Sequence, residues 1–214
     1  MKSFDSFVNK LKDRLLNPLP GALAHEPMRA TPVGNIKPEF QHKLPPKPGS
    51  VLILLYEDRG VLKFPLIKRP VYIGAHSGQV SLPGGKAEDG EDAILTALRE
   101  GEEEIGIDPA TVEILGCLSN FFVIPSNFIV TPVVGVVRNN PVFIPDAFEV
   151  ERILYARLDD LLSEGAILEK EILAAGKFAL MAPHFLIENE IVWGATAMML
   201  NEFRFVLKDT LRDL

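Results

Sequence analysis

The sequence predicts an α/β fold, in which helices cover both faces of a mixed β-sheet. Apolar runs of strand length are interspersed with stretches of helical periodicity, and neither repeats nor low-complexity tracts interrupt that order. A chain of 214 residues buries about 70% of its unfolded surface, enough for one sizeable core without disulfides. One main domain is therefore expected.

The N-terminal region is predicted to be a helix followed by an extended arm. The apolar face of the helix is expected to dock on the main domain or on a second subunit, and its residues are Phe4, Phe7, Val8 and Leu11. Eight prolines within residues 17–48 exclude a long helix there and favour extended chain. The predicted division is 1–48 for the helix and arm and 49–214 for the domain.

Apolar runs bounded by turn residues predict the strands. Residues 51–56 (VLILLY) and 61–67 flank a turn at 57–60, which predicts a β-hairpin. Further strands are predicted at 79–82, 111–119, 129–137 and 152–156, and helices at 158–163 and 195–207.

The longest helical pattern lies in the middle of the chain. The helix is expected to begin near Glu91 or Asp92, where acidic side chains suit the positive N-terminus. It is expected to end at Gly106, which can adopt the left-handed C-cap conformation. One stripe of this helix is predicted to pack on the sheet and consists of Ile94, Ala97, Leu98, Gly101 and Ile105.

Three carboxylates in the last turns of this helix, Glu100, Glu103 and Glu104, are spaced i, i+3 and i+4. They are expected to share one face and to project away from the packed stripe. At about 5 Å and an effective dielectric near 20, each pair repels by about 3 kcal/mol before screening. Glutamates in a last turn also oppose the helix dipole. A solvated face is the usual fate of a Glu run, but this spacing predicts a positive partner.

The segment from Gly85 to Ile107 resembles the Nudix box, the signature of a family of hydrolases acting on nucleoside-diphosphate-linked substrates. The matching positions are Gly85, Glu91, Arg99, Glu100, Glu103, Glu104, Gly106 and Ile107. Gly101 departs from the pattern, which has an aliphatic residue there, so looser helix packing is expected at that turn. The resemblance implies the α/β/α Nudix sandwich and metal-assisted hydrolysis of a phosphoanhydride.

The resemblance also implies a binding site for Mg²⁺ or Mn²⁺. Its ligands would be the carboxylates of Glu100, Glu103 and Glu104 and the backbone carbonyl of Gly85, because hard divalent cations prefer oxygen. A side chain at Gly85 would obstruct that approach.

Catalytic roles are implied for Glu103, Glu100 and Arg99, with Glu103 as the first candidate for the general base. Arg99 would orient carboxylates, whereas its alternative role is a surface ion pair of little energetic weight. A glutamate from a later loop takes part in some Nudix enzymes. Glu149 and Glu151 are candidates for that role, although exposed charges are at least as common an outcome.

The upstream segment FPLIKRPVYIGAHSGQVSLPGGK resembles the additional signature of Nudix enzymes that cleave coenzyme A (CoA) and its thioesters. Arg69, Gly78, Pro83, Gly84 and Gly85 match it, whereas the signature has Thr near Ile67, Arg near Gly74 and Phe at Leu82. The resemblance implies hydrolysis of CoA or acyl-CoA to 3',5'-ADP and 4'-phosphopantetheine or its acylated form. ADP-ribose, NADH and other nucleoside diphosphate derivatives are the alternative substrates, and a non-catalytic nucleotide sensor is a further alternative.

Substrate contacts are expected from Arg69, Lys86 and His76, each with an alternative role. The two cations would meet phosphates or remain solvated, and His76 would bind phosphate or stabilise its loop. Core packing is more common than pantetheine binding for large apolar side chains near the last predicted helix: Trp193, Met198, Met199, Phe203 and Phe205.

Composition restricts the classes of binding partner and the cellular compartment that are expected for the protein. The net charge of −7 disfavours nucleic acid and anionic membranes as partners. Cys117 is the only cysteine, so no intramolecular disulfide can form and a reducing compartment is expected. Charges interrupt the apolar pattern of the first 16 residues, which predicts neither a signal peptide nor a membrane span. The expectation is a cytoplasmic protein with a small-molecule substrate; a homodimer is expected from family precedent alone.

Overall fold

The computed structural model describes residues 4–34, 40–71, 77–174, 176 and 178–212. Its elements are α1 (Phe4–Leu15), α2 (Ala22–His25), β1 (Thr31–Pro32), β2 (Lys47–Asp58), β3 (Val61–Lys68), β4 (Val80–Ser81), β5 (Gly84–Lys86), α3 (Ala93–Ile105), β6 (Val112–Cys117), β7 (Phe121–Val123), β8 (Phe128–Val137), β9 (Arg152–Arg157), α4 (Leu158–Leu162), β10 (Leu168–Ala174), β11 (Phe178–Ile187), β12 (Glu190–Trp193) and α5 (Gly194–Arg212). Within those ranges, no helix combines the length and apolar character needed to span a membrane.

The central sheet is mixed and has eight strands. Its main path is β4-β3-β2-β8-β6, while β5, β7 and β9 pair with β2, β8 and β3. β2 runs parallel to β8, and the other pairings in this sheet are antiparallel. The predicted hairpin of β2 and β3 is present, and it turns at Arg59 and Gly60, which have φ angles of 52° and 80°. Two successive positive φ angles suit the twist of a two-residue hairpin.

The side chains of β2 alternate between two apolar layers. Leu52 and Leu54 pack with α3, whereas Ile53 and Leu55 belong to the core that contains α1 and α5. Helices thus cover both faces of the central sheet, and the predicted α/β/α fold is confirmed. The predicted 79–82 strand is shorter than expected, because β4 has two residues and the chain enters β5 at Gly84.

A second sheet, in which β11 pairs antiparallel with β1, β10 and β12, was not predicted from the sequence. Three of the seven residues of β10 are charged, and most of its side chains are exposed, so it lacks the apolar alternation of a half-buried strand. Pro183 within β11 further obscures the strand pattern.

The N-terminal helix docks on the domain, as predicted. Its buried residues are Phe7, Val8, Leu11 and Leu15, and Arg14 forms an ion pair of 3.0 Å with Asp209 of α5. The segment expected to be extended also contains α2, a short 3-10 turn and β1, and β2 already begins at Lys47. Regular structure therefore interrupts the proline-rich arm.

A buried polar network fastens this arm to α5. The Glu202 carboxylate is fully buried and accepts hydrogen bonds from the Gly21 amide at 3.1 Å and the Ser119 hydroxyl at 2.6 Å. Nε2 of His25 lies 2.9 Å from its other oxygen. Burial by itself would raise the pKa of Glu202, but the hydrogen bonds outweigh it and lower that pKa below its ordinary value.

Candidate active site

Helix α3 has the termini that its sequence predicts. Asp92 is its N-cap and accepts a hydrogen bond from the Leu95 amide, while Gly106 ends it with a φ of 69°. Residues 144–146, later in the chain, hydrogen-bond the last turn of this helix. The amides of Ile144 and Asp146 donate to the carbonyls of Ile105 and Glu104. These bonds fix the turn that carries the carboxylates.

Packing at Gly101 is close, so the looser packing expected there is wrong. A Cβ on Gly101 would lie 2.9 Å from Cδ2 of Leu52 and 3.2 Å from Cγ2 of Ile107. The absence of a side chain therefore allows α3 to approach the central sheet.

The three carboxylates do not share one outward face. The Glu103 side chain is 58% exposed, that of Glu100 is 13% exposed and that of Glu104 is 1% exposed. The expectation that all three project away from the packed side is therefore wrong for Glu104, whose carboxylate lies against the β4–β5 turn and accepts a hydrogen bond of 2.7 Å from the Gly84 amide.

Gly85 lies directly against the Glu100 carboxylate. A Cβ on Gly85 would be 2.6 Å from Oε2 of Glu100, closer than real Cβ atoms approach other groups. Gly85 also pairs with Ser50 across β5 and β2, which fixes its backbone. The structure thus brings together the glycine and the first glutamate of the predicted metal site.

Arg99 is the positive partner that the spacing of the carboxylates predicts. Its Nε donates to Glu91 at 2.7 Å, and its Nη1 donates to Glu100 at 3.0 Å and Glu103 at 2.8 Å. A further bond of 3.0 Å runs from Nη2 to the Lys86 carbonyl. Hydrogen bonding to Arg99 is the largest influence on Glu91 and lowers its pKa to about 2. Arg99 therefore holds several carboxylates at once.

Arg69 pairs with the buried carboxylate. Its Nη2 donates to Glu104 at 3.1 Å and to the Gly84 carbonyl at 3.2 Å. Burial raises the pKa of Glu104 to about 7, against the opposing influence of Arg69 and the Gly84 amide. The nearby charges of Glu100 and Glu149 raise it further.

Of the two later glutamates, Glu149 is close enough for its charge to influence the site. Burial raises the pKa of Glu100, and the charges of Glu103 and Glu149 add to that rise. Asp146 shapes the turn that carries Glu149, because its Oδ1 accepts hydrogen bonds from the Phe148 and Glu149 amides. Glu151 instead lies 3.5 Å from Lys68 in an ion pair.

An open cleft of about 580 Å³ lies beside these groups. Its lining consists of Lys86, Ala87, Glu88, Asp89, Arg99 and Glu100. Lys86 is exposed at this cleft, where a phosphate would be accessible to it, whereas His76 lies outside the described residues. Met198, Met199 and Phe203 are buried in apolar clusters, in keeping with core packing.

The donor set fits a hard divalent cation. Carboxylate oxygens from α3 meet the backbone of Gly85, where a Cβ would fill the space beside Glu100. Among the described residues, no three acidic, histidine or cysteine side chains are already grouped as a metal cage. Arg99 instead bridges Glu100 and Glu103, so cation binding requires a change in these side-chain contacts.

Comparison with known proteins identifies the family. Residues 46–175, more than half of the chain, match the model described as NUDIX domain. Nudix hydrolase 15, mitochondrial, from Arabidopsis thaliana is 39% identical over 165 residues, which cover 72% of this chain and 56% of the plant protein. The uncharacterized Nudix hydrolase NudL from Salmonella dublin is 33% identical over 172 residues, which cover 78% of this chain and 86% of the relative.

The chain spans about half the length of the two plant relatives, whose covered shares are 56% and 53%. A crystal structure of a MutT/nudix family protein from Enterococcus faecalis aligns with 100% of this chain and 76% of its own, at 16% identity and a TM-score of 0.49. The family match covers the strand, turn and helix that assemble Gly85, Arg99 and the three glutamates. This chain belongs to the Nudix family.

Proposed function

We propose that this chain hydrolyses the diphosphate of CoA or acyl-CoA with Mg²⁺ or Mn²⁺. The observation that carries the hydrolase assignment is the contact of Gly85 with Glu100, in a cluster where Arg99 joins Glu100 to Glu103. Carboxylates gathered around a glycine backbone suit a cation that binds phosphate oxygens.

The metal ligands would be the Gly85 carbonyl and the carboxylates of Glu100, Glu103 and Glu104. When bound, a divalent cation neutralises charge on the phosphate oxygens and so lowers the barrier to attack by water. Before a cation binds, Arg99 restricts the rotamers of Glu100 and Glu103 through its two Nη1 hydrogen bonds.

Hydrolysis joins a water oxygen to phosphorus while the bond between phosphorus and the bridging oxygen breaks. A carboxylate must accept the proton that the water releases. We assign this role to Glu103, the most exposed of the three carboxylates, which Arg99 holds at 2.8 Å. Glu149 is the alternative, because its charge is close enough to raise the pKa of both Glu100 and Glu104.

CoA is favoured as the substrate by the upstream resemblance, in particular by Arg69, Gly78 and residues 83–85. Cleavage would yield 3',5'-ADP and 4'-phosphopantetheine, or its acylated form. Exposed Lys86, at the edge of the cleft, is proposed to meet a phosphate, and Arg69 and His76 are proposed to contribute as well. The alternative is hydrolysis of ADP-ribose, NADH or another nucleoside diphosphate derivative by the same groups.

Product identification by mass spectrometry tests the proposal, with CoA, acetyl-CoA, ADP-ribose, NADH and nucleoside triphosphates incubated in parallel with Mg²⁺. Metal-dependent 3',5'-ADP from CoA is the expected result. Preferential turnover of ADP-ribose would defeat the CoA assignment but retain the chemistry. Tight nucleotide binding without product under any divalent cation would instead favour a sensor.

Glu103→Gln is expected to lower turnover by about a hundredfold or more, because it removes a base while retaining side-chain volume. Glu102→Gln is the matched control, since Glu102 is the adjacent exposed glutamate. Steady-state rates of both variants give the comparison. Equal rates for Glu103→Gln and wild type would reject Glu103 as the base, and Glu149→Gln would then be measured.

The remaining proposals concern domain boundaries, cellular location and oligomeric state. We propose a hydrolase domain at residues 49–214, preceded by the helix and arm at 1–48. A cytoplasmic location and a homodimer are likewise proposals, which fractionation and sedimentation would test. The negative net charge supports a small-molecule partner over nucleic acid or an anionic membrane.

A further inference from the structure

Arg69 lies where three parts of the candidate site meet. It directly follows β3, and its amide donates to the Gln79 carbonyl at 3.0 Å. The neighbouring Pro70 carbonyl accepts a bond of 3.1 Å from the Gly78 amide. These two bonds pair the backbone of residues 69–70 with that of residues 78–79, so the position of the Arg69 backbone is fixed.

The Arg69 side chain closes a small ring of hydrogen bonds. Nη2 of Arg69 contacts both Oε1 of Glu104 and the Gly84 carbonyl, while the Gly84 amide donates to Oε2 of Glu104. These contacts tie the last turn of α3 to the turn that precedes Gly85. Both elements carry predicted metal ligands, so one side chain orients two parts of the site.

Burial makes this pairing necessary. Glu104 is 1% exposed, and within the described ranges Arg69 is the only side chain in an ion pair with it. Oε1 of Glu104 accepts a hydrogen bond from Arg69, and a buried polar group that loses its partner is strongly disfavoured. Removal of Arg69 would therefore change the position of a carboxylate that the cation needs.

We propose that Arg69 is a positioning residue, which sets the Glu104 carboxylate and the Gly84 turn for divalent cation binding before any substrate arrives. This inference rests on the proposed metal-dependent function. It is separate from the phosphate contact that is also proposed for Arg69, because a phosphate contact alone would affect substrate binding and leave cation binding unchanged.

Substrate-free Mn²⁺ titration followed by electron paramagnetic resonance separates the two roles. Arg69→Gln is expected to weaken Mn²⁺ binding by about 10-fold to 100-fold, the range for residues that orient metal ligands. Arg69→Lys should restore part of that loss by keeping the charge. Lys68→Gln is the matched control, because the neighbouring Lys68 is equally buried but pairs with Glu190 and Glu151, and its Mn²⁺ affinity should match wild type.

A second comparison tests whether Arg69 acts through Glu104. In the Glu104→Gln background, adding Arg69→Gln should weaken Mn²⁺ binding much less than it does in the wild-type background, because the carboxylate that Arg69 orients is already absent and only its bond to the Gly84 carbonyl is lost. The double variant contains neither the buried carboxylate nor its cationic partner, so it also tests the positioning role if Arg69→Gln alone does not fold. A further fall of about tenfold in the double variant would overturn the inference.

The remaining outcomes are distinct. Wild-type Mn²⁺ affinity in a folded Arg69→Gln variant would overturn the positioning role, and a raised KM in that variant would assign Arg69 to the substrate phosphate. Failure of the wild-type protein to bind Mn²⁺ would overturn the metal-dependent function itself. Circular dichroism of each variant establishes that the fold is retained.

Discussion

Residues that lack a side chain determine the shape of the candidate site as much as the carboxylates do. Gly85 leaves room for the Glu100 carboxylate, and Gly101 lets the helix approach Leu52. Gly84, with a φ of 152°, would place a Cβ 2.6 Å from Cα of Val51. Small residues at three places thus allow a strand, a turn and a helix to approach one another closely.

Gly85→Ala is expected to abolish most activity and to leave the fold intact. The new Cβ would displace the Glu100 carboxylate, which is the flexible end of a side chain, so the backbone need not move. Misplacement of a catalytic group by about 1 Å can cost about a hundredfold in rate. Steady-state kinetics and thermal unfolding should therefore diverge, with a large fall in kcat/KM and a small change in Tm. Unchanged activity would show that Glu100 does not need its observed position.

How well the environment of a residue can be predicted depends on how far away in the sequence its contacts lie. The need for a positive partner beside Glu100 and Glu103 follows from their local spacing along one helix, and Arg99 pairs with both. The burial of Glu104 does not follow from that spacing, because it depends on a turn 20 residues earlier in the chain. Helical spacing could not give the separate environments of the three carboxylates.

At the scale of elements, the predictable parts carry their own boundary signals. Helix α3 has an N-cap aspartate and a left-handed glycine at its ends, and β2 contains the apolar run 51–56, so local patterns suffice to identify both. The sheet around β11 depends on pairing with distant segments, and its edge strand β10 is mostly exposed. Hydrophobic periodicity carries little information about such a strand.

The network that joins the arm to α5 predicts a pH-dependent stability. The folded-state pKa of Glu202 is lowered from 4.5, so its contribution is present at neutral pH and is lost as the pH falls through the folded pKa. Glu202→Gln should therefore destabilise the protein by about 2 kcal/mol at pH 7, since hydrogen bonds to a charged group are weakened. The difference from wild type should shrink below pH 4.5.

Urea unfolding of both proteins at neutral and acidic pH measures this difference. Glu169→Gln, at an exposed position on β10, is the control and should match wild type at both values. A destabilisation by Glu202→Gln that is the same at pH 7 and pH 3 would contradict an ionised Glu202. A parallel variant that replaces His25, whose Nε2 lies 2.9 Å from the Glu202 carboxylate, separates the contribution of that contact.

At the scale of the molecule, the N-terminal helix is part of the main core and not an appendage. Phe7, Val8 and Leu11 join the same apolar cluster as strands of both sheets and α5. The burial of each such side chain contributes about 1.5–3 kcal/mol, which is large against a typical total stability of about 5–15 kcal/mol. The structure of residues 49–214 is thus coupled to residues that precede them.

Leu11→Ala and Leu16→Ala test this coupling as a matched pair. Leu11 is fully buried, so its truncation should cost about 2–5 kcal/mol, whereas Leu16 is 82% exposed and its truncation should cost less than about 0.5 kcal/mol. Thermal unfolding should show a fall of about 4–20 °C for the first variant and little change for the second. Equal Tm values would mean that α1 does not contribute to the core.

The contact between α1 and α5 also has a consequence for synthesis on the ribosome. Arg14 and Asp209 are 195 positions apart, and α5 is translated after every segment on which it packs. The part of the apolar face of α1 that packs on α5 therefore emerges long before its partner. Until α5 has been translated, these apolar residues are available to molecular chaperones that bind nascent apolar segments.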